Sequence, residues 1–230
     1  GLDSFSFQSG GGAHAVLANA YIVRAYHADR GDDKRDEIIT TIFSHPCDAG
    51  SPATAGYKVI TLMPDENGYA NLDAMKSSLS ERTAAIFITN PEDTGIYNPR
   101  IKEYVDAAHE AGALCVYDQA NANAVLGIAR AKEAGFDLCH FNLHKTFSAP
   151  HGCMGPGVGA LGAKEFLQQY LPVPRVEFDG EKYYFDDNCP NSIGRVRSFL
   201  GNFPVVLKAY MWIMQMGADG LREAAIISVL

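Results

Sequence analysis

Five short apolar runs alternate with helical patterns along this chain of 230 residues, and no other feature constrains the fold as strongly. The runs are rich in β-branched residues and are bounded by Gly, Pro, Asn or Asp, which is typical of buried strands. They cover residues 37–44, 58–63, 84–89, 113–118 and 137–143. The helical patterns cover residues 12–30, 71–80, 99–111 and 163–170. Strands that alternate with helices predict an α/β fold of three layers, α-β-α, around a mostly parallel sheet.

Both ends of the sequence look abrupt. A glycine-rich turn at residues 10–12 follows so soon after the first residue that the strand expected before it is predicted to be short or missing. Residues 224–230 form an apolar run with no cap and no charged tail. We therefore expect a fragment that consists of a large domain over residues 1–200, incomplete at its N-terminus, and a helical segment over residues 201–230 that leads to a missing small domain.

Two later stretches have distinct patterns. Residues 203–230 predict one or two long helices, with Gly217 and Gly220 as a break. Residues 171–191 contain three prolines and a cluster of Tyr, Phe and Asp, and they predict the longest loop of the chain.

The composition excludes several classes of partner. The chain has 27 acidic and 19 basic residues, a net charge of −8, and no dense basic stripe, which argues against nucleic acids and anionic membranes. Its five cysteines are odd in number, widely spaced and without a C-x-x-C pair, so they indicate reduced thiols in a cytoplasmic protein rather than disulfides or a metal site. The longest apolar stretch, residues 203–216, is interrupted by Lys208 and is too short to span a bilayer.

Lys145 and Asp118 are the strongest chemical signals. Asp118 closes one predicted strand, and Lys145 follows the end of another. Ligands of open α/β sheets bind beyond the carboxyl ends of the strands, so both side chains are expected in one cleft. An amine removed from water there becomes a nucleophile toward an aldehyde, while Asp118 can face the protonated ring nitrogen of pyridoxal phosphate and Asn121 its ring hydroxyl. Taken alone, the lysine would be a surface residue, and the aspartate could equally well cap the segment that follows it.

Three weaker signals lie at the same predicted rim. The glycine-rich segment at residues 8–14 opens a helix, where free N–H groups and the helix dipole favour phosphate, although it matches neither G-x-G-x-x-G nor a Walker A loop. His45 follows the first predicted strand and could stack on a flat ring, act as an acid or base, or be an ordinary loop histidine. Residues 150–157, rich in Gly and Pro, indicate either a loop shaped around a ligand or an ordinary long turn.

Taken together, these motifs resemble a known family. The segments YDQANANAVLG, NLHKTFSAPHG, GPGVGALG and SIGRVRSFLGNFPVVLKAYMWIMQMGADGLREA are similar to the glycine decarboxylase P-protein of the glycine cleavage system, specifically to the second subunit of its split bacterial and archaeal form. The resemblance covers nearly the whole chain, and HKTF and SIGRVRSFLGNF are its most specific blocks. It implies a fold-type I enzyme that depends on pyridoxal 5′-phosphate, of which this chain would be most of the large cofactor-binding domain.

The same resemblance implies roles for individual residues. Lys145 would bind the cofactor aldehyde covalently, Asp118 would partner the pyridinium nitrogen, and His45 would stack on the ring, which makes these three the catalytic candidates. The further cofactor-binding candidates are Asn121 near the ring oxygen, Gly11, Gly12 and Ala13 near the phosphate, and His144 and Thr146 close by.

The implied reaction is the decarboxylation of glycine with transfer of the aminomethyl group to the lipoyl arm of the H-protein, the activity of an aminomethyl-transferring glycine dehydrogenase. The implied partners are glycine, the lipoylated H-protein and subunit 1 of the P-protein, with full-length chains forming a homodimer or a heterotetramer. The turn at residues 201–203 could reach the site of a neighbouring subunit. Arg195 and Arg197 are candidates for the substrate carboxylate because guanidinium suits its geometry, although a surface salt bridge is the alternative for at least one.

Two segments depart from the family pattern. Where the family usually reads H-G-T-N-P-A-S, this chain reads HPCDAGS over residues 45–51, and where it usually reads P-H-G-G-G-G-P-G, Cys153 and Met154 replace glycines. These departures bear on which substrate the enzyme uses more than on which cofactor it binds. One alternative is a class V-type aminotransferase, desulfurase or lyase that acts on another small amino acid. A non-catalytic scaffold subunit is the other, but a pure scaffold would need neither Lys145 nor Asp118.

Overall fold

The computed structural model describes residues 1–230 and places a seven-stranded sheet between two layers of helices. The strands are β1 (Ser4–Ser9), β2 (Glu37–Thr41), β3 (Lys58–Leu62), β4 (Thr83–Thr89), β5 (Leu114–Asp118), β6 (Leu138–Asn142) and β7 (Gly159–Ala163). Their order in the sheet is β1-β7-β6-β5-β4-β2-β3. Only β7 runs against its neighbours, and every other neighbouring pair is parallel. The predicted three-layer α/β fold is confirmed.

Helices cover both faces of this sheet because the central strands are apolar on both sides. The helices are α1 (Gly12–Asp29), α2 (Cys47–Thr54), α3 (Leu72–Ser78), α4 (Ile101–Glu110), α5 (Ala131–Ala134) and α6 (Phe203–Ile227), with a 3-10 helix at Glu165–Tyr170. Alternate residues of β4 enter opposite cores: Phe87 packs in the core formed with α1, and Ile86 in the core formed with α3 and α4. None of the helices combines the length and the apolar character needed to cross a bilayer.

The edge of the sheet beside α1 corrects two expectations. The strand before the glycine-rich turn was expected to be short or missing, yet β1 has six residues and pairs with β7. Its alternation of Ser with Phe5 and Phe7 is a strand signal that the adjacent glycines obscure. Strand β7 was not predicted because its sequence, GALGA, contains no β-branched residue. A side chain at Gly162 would lie 2.8 Å from the Phe5 ring and 3.0 Å from Cys139 Sγ, so close packing selects glycine there.

The expectation of one long loop over residues 171–191 is also wrong, because this segment contains a hairpin of β8 (Arg175–Phe178) and β9 (Tyr183–Asp186). The two strands meet at a turn in which Gly180 has a φ of 102° and Asp179 Oδ1 accepts backbone N–H bonds, both 2.9 Å long. Aspartate followed by glycine is a strong hairpin signal. Farther along, α6 breaks at Gly217 as predicted, with a φ of 62°.

Candidate active site

The candidate site lies where β5 and β6 end and α1 begins. Asp118 is the last residue of β5, and the register of the sheet pairs it with His140 of β6. Lys145 follows the end of β6 by three residues. It lies in a turn, and its own backbone N–H donates to the carbonyl of Asn142 (3.0 Å). The parallel pairing of the two strands therefore brings both predicted residues to the same rim of the sheet.

Lys145 and Asp118 lie near the same two side chains, Cys47 and His140. Burial is the largest cause of both pKa shifts, raising the pKa of Cys47 and lowering that of His140, and the charge of Lys145 also acts on each group. Both of these side chains are next to Asp118: Cys47 Sγ is 4.0 Å from its Oδ2, and His140 Nε2 is 3.2 Å from its Oδ1. The expectation of a desolvated amine is wrong for this chain, because Lys145 is exposed at the mouth of the pocket.

The Asp118 carboxylate is held rigidly. It is buried, and its Oδ1 accepts a hydrogen bond from the N–H of Ala120 (2.8 Å). The fully buried His140 lies against it, and burial lowers the pKa of this imidazole, which favours its neutral form. Sequence reasoning missed His140, although a histidine inside the apolar run DLCHFNL was a usable signal.

His45 and Cys47 form the outer wall. His45 is exposed; its Nδ1 accepts the N–H of Cys47 (3.1 Å) and lies 2.9 Å from Cys47 Sγ. Burial raises the pKa of the Cys47 thiol, and the charges of Asp48 and Asp118 raise it further. Cys47 is therefore a protonated thiol at neutral pH, and the stacking role predicted for His45 stays a prediction.

Asp48 is a second buried carboxyl group in this wall, and sequence reasoning noted it only as part of a departing segment. Its Oδ2 accepts a hydrogen bond from Thr89 Oγ1 (3.0 Å), while its Oδ1 has no partner. Burial raises its pKa, and the nearby charge of Asp118 acts in the same direction. This wall of the pocket thus contains more carboxyl groups than it can hold as charged carboxylates.

The glycine-rich segment forms the opposite end of the pocket. Helix α1 begins at Gly12, and its first turn contains no acidic residue. A side chain at Gly12 would lie 2.9 Å from Asn142 Nδ2, and one at Gly159 would collide with the carbonyl oxygen of Gly11. Glycines here allow the helix start to pack directly against the ends of β6 and β7. Gly11, Gly12 and Ala13 therefore lie where the phosphate prediction requires, at a helix N-terminus.

Positive charge gathers at this helix start. The Arg197 guanidinium packs on Gly10, 3.1 Å from the position of a Cβ there, and its Nη1 is buried without a partner. Burial lowers the pKa of His14, and the charge of Arg197 lowers it further; His14 Nδ1 accepts the N–H of Gly10 (3.1 Å). A cation without a counter-ion beside the positive end of a helix dipole fits an anionic ligand. Arg195, in contrast, is in an exposed salt bridge with Asp187 at 2.8 Å.

Thr146 lies in the segment that follows β6, and Asn121 lies in the segment that follows β5. Thr146 Oγ1 accepts the N–H of Ala122 (2.9 Å) and donates to Asn123 Oδ1 (2.6 Å). This hydroxyl therefore ties the segment after β6 to the segment after β5. Asn121, in the segment after β5, is exposed.

His144 lies between Lys145 and the glycine-rich end. Its Nδ1 accepts the N–H of Val158 (3.2 Å), and its Cε1 lies 3.9 Å from the position of a Cβ on Gly11. Burial lowers the pKa of this imidazole. The predicted cofactor-binding residues thus lie at the end of β5, on the segments that follow β2, β5 and β6, and at the start of α1, and their roles stay predictions.

Comparisons with known proteins agree with this architecture. The family model of aminotransferase class-V matches residues 7–187. Among solved structures, a sphingosine-1-phosphate lyase of Burkholderia pseudomallei superimposes with a TM-score of 0.69 at 16% identity, over 96% of this chain and 50% of that chain. The cysteine desulfurase CsdA of Escherichia coli gives a TM-score of 0.64 at 18% identity, over 94% and 53%. These structures show a shared fold.

Curated relatives are more similar in sequence. A probable glycine dehydrogenase (decarboxylating) subunit 2 of Thermococcus onnurineus is 47% identical, over 100% of this chain and 46% of its own length. The protein of the same name from Pseudothermotoga lettingae is 45% identical, over 100% of this chain and 48% of its own length. The chain therefore spans about half the length of the curated relatives it matches.

Proposed function

Since the chain belongs to the aminotransferase class-V family, we propose that it is the cofactor-binding part of an enzyme that decarboxylates glycine and transfers the aminomethyl group to the lipoyl arm of the H-protein. The observation that carries this proposal is that Lys145 and Asp118 lie near the same two side chains, Cys47 and His140, at the rim where β5 and β6 end. The 45–47% identity to proteins named glycine dehydrogenase (decarboxylating) subunit 2 supports glycine as the substrate over other small amino acids.

The residues of the pocket fit pyridoxal 5′-phosphate, the cofactor of this family. The buried, unpartnered Nη1 of Arg197 and the start of α1 suit the phosphate, and the buried carboxylate of Asp118 suits a protonated ring nitrogen. Lys145, near Cys47 and His140, would bind the aldehyde. When bound, the cofactor supplies the electron sink for the electrons of the broken C–CO₂ bond.

The chain's own residues provide binding, orientation and proton control. Lys145 would hold the cofactor aldehyde, and its exposed position leaves room for the amine of the substrate. Asp118 would keep a proton on the ring nitrogen, because a buried carboxylate stabilises a cation that faces it. The exposed His45 would stack on the ring, and orientation of the substrate relative to the ring would be a positioning effect.

The assembly follows from the same proposal. The full-length protein would act in the cytoplasm with subunit 1 and the lipoylated H-protein, as a homodimer or a heterotetramer. Residues 1–200 would form the large domain, and residues 201–230 would lead to the small domain. The turn at residues 201–203 would contribute to the site of a neighbouring subunit.

Spectroscopy and isotope exchange test this function. The full-length protein should be yellow when loaded with pyridoxal phosphate, with a borohydride-sensitive band that Lys145→Ala abolishes and Lys34→Ala, at an exposed position, leaves intact. With subunit 1 and lipoylated H-protein, it should exchange labelled bicarbonate into glycine. Transamination or desulfuration without exchange would favour the other enzymes of the family. A wild-type protein that binds no cofactor would favour a scaffold.

A further inference from the structure

Asp48 and Asp118 are two buried carboxyl groups in one wall of the pocket, and the proposed function uses only Asp118. The two residues are 1% and 4% exposed. Oxygen atoms of the two carboxyl groups, together with Cys47 Sγ, all lie within 4.8 Å of one another. Two like charges this close and this far from water cannot both persist, so one of the two groups must hold a proton.

The hydrogen bonds decide which group holds it. An ionised carboxylate only accepts, so its oxygens need donors. Asp118 Oδ1 has the N–H of Ala120 as a donor. Asp48 has the Thr89 hydroxyl on Oδ2 but nothing on Oδ1, which is buried and unpartnered. A proton on Asp48 Oδ1 removes this orphan acceptor and supplies a donor for Asp118.

The other titratable groups around Asp48 cannot neutralise it. Cys47 and His140 are held uncharged by burial, as their pKa shifts show. Asp93 adds a further negative charge from the loop after β4. Lys145 is exposed, so water and salt screen its charge. A bound proton is therefore the remaining way to balance the second carboxyl group.

We propose that Asp48 is a positioning residue that holds one proton on Oδ1 and donates it in a hydrogen bond to Asp118, so that the pair carries a single negative charge. The proton sharing stands on the geometry of the chain alone. The positioning role rests on the proposed function, because it fixes the carboxylate that faces the ring nitrogen. Ionisation of Asp48 removes the donor and sets two charges against each other, which makes the site sensitive to rising pH.

The first test measures thermal stability against pH in the cofactor-free full-length protein. An unfolded aspartate titrates near pH 3.9, and burial raises the pKa of Asp48 in the folded protein. Wild-type stability is therefore lost as pH rises from about 4 toward the folded value, whereas Asp48→Asn has no proton to lose. The melting temperature of Asp48→Asn should exceed that of wild type by an amount that grows with pH, by about 1 °C for each unit of the shift in a protein twice as long as this chain.

Matched variants make this result specific. Asp33→Asn, at an exposed position, should show no such pH-dependent gain. Asp118→Asn should show it, and the double variant should gain no more than either single variant, because removing one carboxyl group already removes the repulsion. A gain that stays constant between pH 5 and 9, or gains that add, would overturn proton sharing. Stabilisation of wild type, but not of Asp48→Asn, by a divalent cation would overturn it as well.

The second test follows the absorbance of bound pyridoxal phosphate as pH is raised. Asp48→Asn keeps a donor without a titratable proton and should retain the band to higher pH than wild type. Asp48→Leu has no donor and should weaken cofactor binding at every pH. If wild type and both variants lose the band together, Asp48 does not position Asp118. If wild type binds no cofactor, the proposed function fails, and the cofactor-free titration still decides whether the proton is shared.

Discussion

The two ends of the pocket have opposite and unbalanced charge. At the end formed by β5, two buried carboxyl groups, Asp48 and Asp118, face neutral side chains. At the start of α1, Arg197 and the positive end of a helix dipole face no acidic residue. The fold alone establishes this polarity, and it suits the proposed cofactor, which has an anionic phosphate and a ring nitrogen that can be protonated. Four substitutions probe the two ends, in decreasing order of expected effect.

Replacement of Asp118 tests the negative end and should have the largest effect. Asp118→Ala removes the buried carboxylate expected to stabilise the charge on the ring, and losing one such electrostatic group costs about 10²–10³ in kcat. Glycine–bicarbonate exchange measures the loss. Asp118→Asn keeps a polar group without the charge and should be nearly as slow. If Asp118→Asn retains wild-type activity, the charge of this group is not what the reaction uses.

Replacement of Arg197 tests the positive end. Hydrogen bonds to charged groups contribute about 1.5–3 kcal/mol, so Arg197→Ala should weaken the binding of pyridoxal phosphate by about 10–100-fold. Equilibrium dialysis measures this dissociation constant. Arg195→Ala is the matched control, since exposed salt bridges contribute about 0–1 kcal/mol. Equal losses in the two variants would show that the positive end does not hold the phosphate.

Close packing at the positive end is tested at Gly159. A side chain there would collide with the carbonyl of Gly11 and displace the start of α1, so Gly159→Ala should lower the free energy of unfolding by about 1–3 kcal/mol. Gly50→Ala is the control, because nothing lies within 4 Å of a Cβ at this position in α2. Denaturant unfolding measures both. A destabilised Gly50→Ala beside a stable Gly159→Ala would contradict the close approach.

Replacement of Cys47, which lies at the negative end, should have the smallest effect. Burial and two neighbouring carboxyl groups raise the pKa of its thiol, so it is not a nucleophile at neutral pH. Cys47→Ser should change kcat by less than about threefold, and iodoacetamide should modify Cys47 more slowly than the exposed Cys153. Abolished activity, or faster modification of Cys47, would indicate a thiol-dependent reaction such as desulfuration.

The negative end could be predicted from the sequence better than the positive end. Asp118 and Lys145 were found because each follows a periodic apolar run, and the ends of parallel strands must meet. Arg197 was only a candidate for a carboxylate, because its place beside Gly10 depends on tertiary contacts between segments 187 positions apart. Asp48 and His140 were missed as site residues because burial, which makes them chemically significant, is a property of the folded chain.

The same distinction applies to the fold. Strands β2, β4, β5 and β6 were predicted because their apolar residues are buried on both faces, and the edge strand β3 because it is rich in β-branched residues. Strands β1 and β7 lie at the antiparallel edge, where pairing with each other overrides weak local preference. The hairpin of β8 and β9 was missed because the neighbouring prolines were given more weight than the Asp179-Gly180 turn.

The hydroxyl of Thr146 restricts how the lysine can move during turnover. Because it fastens the segment after β6 to the segment after β5, the Cα of Lys145 is anchored to the strand that ends in Asp118. A loop swing that carried the amine away would break both hydrogen bonds. If Lys145 binds the cofactor as proposed, its amine would therefore give way to a substrate amine by rotation about its own four-carbon stem rather than by a movement of the backbone.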